Sequence, residues 1–130
     1  MRDLKSTLTY RWFQEVWNEG REDSIDDLMT PQSLIHGIGE GQFKGPEGFK
    51  FFYRNFKSEF HDIRVDFQDA LSQDNMECAL TNVTATHNES GKKVSFSGLC
   101  MVRYEEGKIA EAWNHYDFLS MHQQLGRVLS

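Results

Sequence analysis

Between Ile63 and Tyr116 the chain is written in alternation, and the alternating runs are separated only by short turns. Ile63, Val65 and Phe67 alternate with Arg64, Asp66 and Gln68, the pattern of a strand with one face buried and one face wet. Gln73-Asp74-Asn75, Glu89-Ser90-Gly91-Lys92 and Glu105-Glu106-Gly107 punctuate the rest, giving strands over 63–71, 76–87, 93–104 and 108–116. Connections this short join antiparallel neighbours, because a parallel pair needs a crossover of about a dozen residues or more. The second half of the chain is therefore committed to a four-strand meander, and one face of that sheet has to be covered.

The cover precedes it. Ser6 or Thr7 can cap a first helix running to about Asn18, with Leu8, Trp12, Val16 and neighbouring Phe13 and Trp17 forming one apolar stripe, and Gly20 closing it. A second, short helix over Ile25 to Met29 is stopped by Pro31. Ser33 to Ile38 reads as a short strand that runs into Gly39, Gly41 and Gly45, a loop suited to act as a lid. Pro46 then opens the most aromatic element, a helix whose stripe is Phe49, Phe52, Tyr53, Phe56 and Phe60. Helices first and sheet last imply an α+β fold, with three helices of the N-terminal half on one face of a curved sheet and a short C-terminal helix after it. Nothing divides residues 1–130 into more than a single domain, and their number suffices for one core without staples.

Composition narrows the classes of partner. Ten Phe, three Trp and four Tyr call for an aromatic core or an aromatic-lined cavity. A net charge of −6 with scattered Lys and Arg lacks the concentrated basic footprint that nucleic acid or an anionic membrane surface requires. No apolar run approaches a membrane span and MRDLKSTLTY lacks a signal peptide's apolar core, so a soluble, cytoplasmic chain is expected. Cys78 and Cys100 fall in separate strands and read as reduced structural thiols.

Chemistry concentrates around the last strand. One parity carries Ile109, Glu111, Trp113, His115 and Asp117; the other carries Ala110, Ala112, Asn114 and Tyr116. Side-chain size assigns the larger, mixed set to the concave face, leaving the small set for a second sheet in a dimer, although a one-residue bulge would invert the assignment. His36 can serve as a base or donor, or as an ordinary hydrogen-bonded histidine. Asp117 stands where a general acid/base could enter a pocket, and equally where an N-cap begins the helix Asp117-Phe118-Leu119-Ser120. His115, His87 and His122 read more simply as surface or hydrogen-bonded histidines. No metal motif, nucleophile elbow, P-loop or dinucleotide fingerprint is present in the sequence.

FQEVWNEGREDSIDDLM, GPEGFKFFYRNF, GLCMVRYEEGKIAEAWNHYD and LSMHQQLG, in this order and spacing, resemble the SnoaL-like polyketide cyclases, or ester cyclases, of the nuclear transport factor 2-like superfamily. The resemblance spans nearly the whole chain. It implies a cone of strongly curved antiparallel sheet around a cavity, a homodimer packed through the sheets, a hydrophobic small-molecule ligand, and ring closure by an aspartate acid/base with no metal or cofactor. On this sequence the matching aspartate is Asp117, with His36 at a pocket position and Trp12, Phe49, Phe52, Trp113, Asn114 and His115 as further candidates for the pocket. The implied function is small-molecule binding with cofactor-independent cyclase or isomerase chemistry on a hydrophobic carbonyl substrate. A non-catalytic ligand-binding or dimerisation module stays open beside it, as does a hydrolase, whose Asp-Arg-Asp arrangement could draw on Arg103 and Asp117.

Overall fold

The structure, a computed structural model, describes residues 4–39 and 41–127. Thr7 caps α1 (Leu8–Trp12), its Oγ1 accepting from the Tyr10 N–H at 3.1 Å. The helix then widens into a π-helical stretch over Phe13–Asn18, which changes the angular spacing of its side chains. Trp12, Phe13 and Val16 end up buried and Trp17 half-buried. A short α2 (Asp23–Leu28) leads directly into β1 (Met29–His36).

The glycine-rich stretch expected as an open loop is the turn of a hairpin. β2 (Gln42–Lys44) returns antiparallel along Leu34 to His36, with Glu40 outside the described residues. α3 (Gly45–Glu59) follows, with Pro46 in its first turn and Phe49 and Tyr53 buried. The meander then unfolds as the alternation demands: β3 (Phe60–Gln73), β4 (Met76–His87), β5 (Lys93–Glu105) and β6 (Lys108–Tyr116), closed by α4 (Phe118–Gln124). The sheet order is β2-β1-β6-β5-β4-β3, antiparallel throughout except for the β1–β6 pair. The long crossover through α3 and the meander is what permits that parallel pair.

Two polar devices fasten the helices to the sheet. The buried carboxylate of Glu77, on β4, accepts from the backbone N–H groups of Leu8 and Thr9 at 3.1 and 2.9 Å and from Thr9 Oγ1 at 2.9 Å. It satisfies donors that an α-helix leaves open at its first turn and places negative charge at the positive end. Asn18, at the other end of the π-helical stretch, bonds both the N–H and the C=O of Val65 at 2.7 and 2.9 Å, imitating a paired strand. Tyr53 of α3 donates to the Val16 carbonyl at 2.8 Å, so the two helical layers are tied to each other.

β6 carries the irregularity that decides the site. Arg103 pairs with Glu111 and Tyr104 with Ile109, so Ala110 is an extra residue. Ile109 and Ala110 are both buried, and beyond this bulge the alternation restarts in the opposite phase. Ala112, Asn114 and Tyr116 consequently face the helices, and Glu111, Trp113 and His115 face away. This corrects the assignment made from side-chain size: the small face is the inner one and cannot meet a second sheet.

Candidate functional site

Between α1, α3 and the concave face of the sheet lies an aromatic cavity. Its deep wall is buried, formed by Trp12, Phe13, Ile38, Phe49, Val83 and Phe96. Its outer lining is half-buried: Trp17, Phe52 and Phe56 from the helical layers, Ile63 from β3, Asn114 and Tyr116 from β6, and Phe118 from α4. The enclosed cavity volume is about 50 Å³, and about 480 Å³ when the crevices between atoms and the open mouth are counted. The rings meet mostly edge to face or tilted, as quadrupoles prefer: Trp12 on Phe49 at 4.8 Å, Trp17 on Tyr53 at 4.8 Å and on Phe56 at 5.6 Å between centroids. A second, smaller cavity adjoins the first and shares Trp12, Phe13, Phe49 and Asn114 with it.

Polar groups are few: the indole N–H groups of Trp12 and Trp17, and two side chains of β6. Tyr116 stands on the same face as Asn114, two residues on, and its hydroxyl makes no hydrogen bond among the described residues. Burial, with a smaller contribution from neighbouring Cys100, pushes its pKa well above the usual value, so the phenol remains a neutral donor. Asn114 donates through Nδ2 to the backbone carbonyl of His36 at 2.9 Å. That approach depends on Gly37, whose φ is +87° and where a Cβ would lie 2.0 Å from the Asn114 carbonyl oxygen. The described lining contains no carboxylate and no imidazole.

Of the residues singled out in the sequence, Trp12, Phe49, Phe52 and Asn114 come together here. Trp113, His115 and His36 do not, because the Ala110 bulge turns the first two outward and His36 pairs with β6 on that same outer side. There His36 Nε2 bonds Glu111 Oε2 at 2.8 Å, Arg103 Nη2 approaches Glu111 Oε1 at 3.6 Å, and the His36 ring stacks on Trp113 at 5.7 Å. Arg103 is thereby on the opposite side of the sheet from the cavity, so the Asp-Arg-Asp arrangement of a hydrolase is not formed there. Asp117 is exposed and caps α4, its Oδ1 accepting from the Ser120 N–H at 3.0 Å. Phe13, Trp17, Phe56, Phe96, Tyr116 and Phe118 belong to the cavity without having been singled out for it; the signal for Tyr116 is its shared parity with Asn114. Among the described residues no three His, Cys, Asp or Glu side chains converge as a metal set, and no helix is long and apolar enough to cross a membrane.

The family model of the SnoaL-like polyketide cyclases matches residues 7–125. The chain belongs to this family. No match was found among curated proteins. Among solved structures, a candidate polyketide cyclase from Bacillus cereus ATCC 10987 is 30% identical over 94% of this chain and 80% of its own, with a TM-score of 0.83. IdmH, a candidate polyketide cyclase from Streptomyces antibioticus, is 21% identical over 92% and 96% of the two chains, with a TM-score of 0.81. A protein of ketosteroid isomerase-like fold from Catenulispora acidiphila, solved with trimethylamine, shares 12% identity over 93% of each chain at a TM-score of 0.83. The last two show the fold alone. This SnoaL-like chain has the α+β architecture of the nuclear transport factor 2-like superfamily, with its cavity on the side of the sheet that the helices cover.

Proposed function

We propose that this SnoaL-like protein binds a largely apolar, ring-bearing carbonyl compound in the aromatic cavity, with the Tyr116 hydroxyl donating to the carbonyl oxygen. The observation that carries the reading is an unpartnered, neutral phenol on a mostly aromatic and aliphatic lining. Apolar walls exclude water, and a hydrogen bond made in such surroundings fixes orientation. The same donor would stabilise an enolate oxygen, the electrostatic half of carbonyl chemistry without a cofactor. A bicyclic ketone such as 1-tetralone tests it. It should raise the melting temperature of the protein, and Tyr116→Phe should reduce the shift; no shift with any such ketone would contradict the reading.

A second reading is ring closure or isomerisation by general acid/base catalysis, supported by the family and by the place of Asp117 between two lining residues, Tyr116 and Phe118. It requires the carboxylate to leave Ser120 and turn inward. We further propose that two copies pair through the outer face of the sheet, where Leu71, Leu80, Leu99 and Met101 are 63%, 42%, 50% and 38% exposed. Leu80 pairs with Leu99 and Met101 with Trp113, so the patch is continuous across three strands. Sedimentation should give a dimer at micromolar concentration and a monomer for Leu99→Glu; a monomeric parent protein would refute the pairing.

A further inference from the structure

The amide of Asn114 is fixed in one sense by elementary donor and acceptor chemistry. Its partner at 2.9 Å is the His36 carbonyl oxygen, which can only accept, so the amide nitrogen must face His36 and Oδ1 must lie on the other side. No hydrogen bond to Oδ1 is made among the described residues, although Asn114 is half-buried and lines both cavities. The other polar side-chain atoms of the main lining are the indole N–H groups of Trp12 and Trp17, which only donate, and the Tyr116 hydroxyl. Among the described residues of that lining, Asn114 Oδ1 is thus the single side-chain atom which accepts without being able to donate. Asn114 belongs to the wall that the two cavities share, with Trp12, Phe13 and Phe49.

The backbone sets the anchor of the amide. β1 and β6 are paired in register at His36 and Trp113, and Gly37 lets the backbone come close enough for the side chain to close on the His36 carbonyl. Rotating the amide to offer a ligand Nδ2 in place of Oδ1 would set two oxygens against each other at His36. A ligand that buries Oδ1 without giving it a proton leaves an acceptor unpaired in an apolar site, and that is the expensive case for a hydrogen-bonding group.

From this we infer that Asn114 is a specificity-determining residue: its anchored Oδ1 takes a hydrogen bond from a ligand hydroxyl, and the cavity therefore prefers a hydroxylated ring compound to the same compound as its methyl ether. The inference rests on the binding function proposed above and adds to it the sense of one contact. Asn114 and Tyr116 lie two residues apart on β6, and their side chains lean to opposite neighbours, Asn114 to His36 on β1 and Tyr116 to Gly98 on β5. The hydroxyl contact at Asn114 is therefore tested by itself, by moving the hydroxyl around the ring.

The test uses the full chain with 1-tetralone and with its 5-, 6- and 7-hydroxy derivatives, each compared with the corresponding methoxy compound by calorimetric titration. At least one hydroxy compound should bind roughly tenfold tighter than its ether, the span one well-placed hydrogen bond gives. In Asn114→Leu that ratio should collapse toward one, whatever affinity the variant loses for all the ketones in common. A ratio near one for every isomer in the parent protein would overturn the inference and leave the binding function standing. So would a ratio that survives in Asn114→Leu, since it would reflect the size of the methyl group. Failure of 1-tetralone and all its derivatives to bind would remove the binding function, and the inference with it. If Asn114→Leu does not fold, the side-chain amide resonances of Asn114 in the parent protein decide: they should shift with the preferred hydroxy compound and not with its ether, and equal shifts would overturn the inference.

Discussion

The Tyr116 ring comes against the bare backbone of Gly98 on the neighbouring strand with its Cδ1–Cε1 edge, so close that a Cβ on residue 98 would lie 2.2 Å from Cδ1. The glycine is required by this packing, not by an unusual backbone angle. Gly98→Ala should displace Tyr116 from its place beside Asn114 and cost about 1–3 kcal/mol, as overpacking of a fitted core does. Chemical denaturation reads the stability, and ketone affinity should fall with it; an alanine variant of parental stability and affinity would show that the ring is free to move.

Glu77 holds the start of α1 from across the fold. Removing its carboxylate in Glu77→Ala leaves the Leu8 and Thr9 N–H groups and the Thr9 hydroxyl without their acceptor. Loss of charge-assisted bonds to buried partners should cost about 3 kcal/mol. Because Trp12 follows on the same helix, hydrogen exchange should quicken through α1 before the sheet loosens.

Asp117 separates two roles cleanly, because asparagine caps a helix nearly as well as aspartate does and alanine does not. Asp117→Ala should lower stability by about 1 kcal/mol and Asp117→Asn by much less. Ketone binding should survive both, since the carboxylate is exposed and engaged with Ser120. Should a ring-closing activity be measured on a genuine substrate, its abolition in a stable Asp117→Asn protein would favour the acid/base reading over simple binding.

The two cysteines should differ sharply in reactivity. Cys100 is buried, and burial pushes its thiol up to about 12, whereas Cys78 is half-buried on the outer face. A thiol reagent should modify one cysteine in the folded protein and two after unfolding. The folded state holds the Cys100 proton more tightly than the unfolded state does. Its contribution to stability is therefore complete below the ordinary thiol pKa of 9.0 and is lost as the pH climbs from there toward 12. Cys100→Val should flatten that part of the alkaline stability profile.

Much of this architecture is legible in the amino-acid sequence, and the reasons are local. Period-two alternation with turn residues at 73–75, 89–92 and 105–107 leaves few alternatives to a meander, and the stripe from Phe49 to Phe60 needs a sheet to cover. The site is less legible because its orientation depends on one residue. Ala110 is small enough to be accommodated in either phase, so nothing in its identity announces a bulge, yet it decides whether Trp113 or Asn114 faces the helices. The hairpin through Gly37 and Gly41 is hidden for a related reason: glycines mark a turn without saying what the chain does afterwards. The widened turn over Phe13–Asn18 likewise has no sequence signature, and it shifts which aromatic rings reach the cavity.

The three tryptophans mark the inside and the outside of the sheet, which makes their indole N–H resonances the most direct test of the binding function. Trp12 and Trp17 line the cavity, while Trp113 stacks on His36 on the far side. Titrating the isotope-labelled protein with 1-tetralone should shift the Trp12 and Trp17 signals in a saturable way and leave Trp113 in place. A Trp113 signal that moves while the other two stay still would contradict the cavity as the binding site.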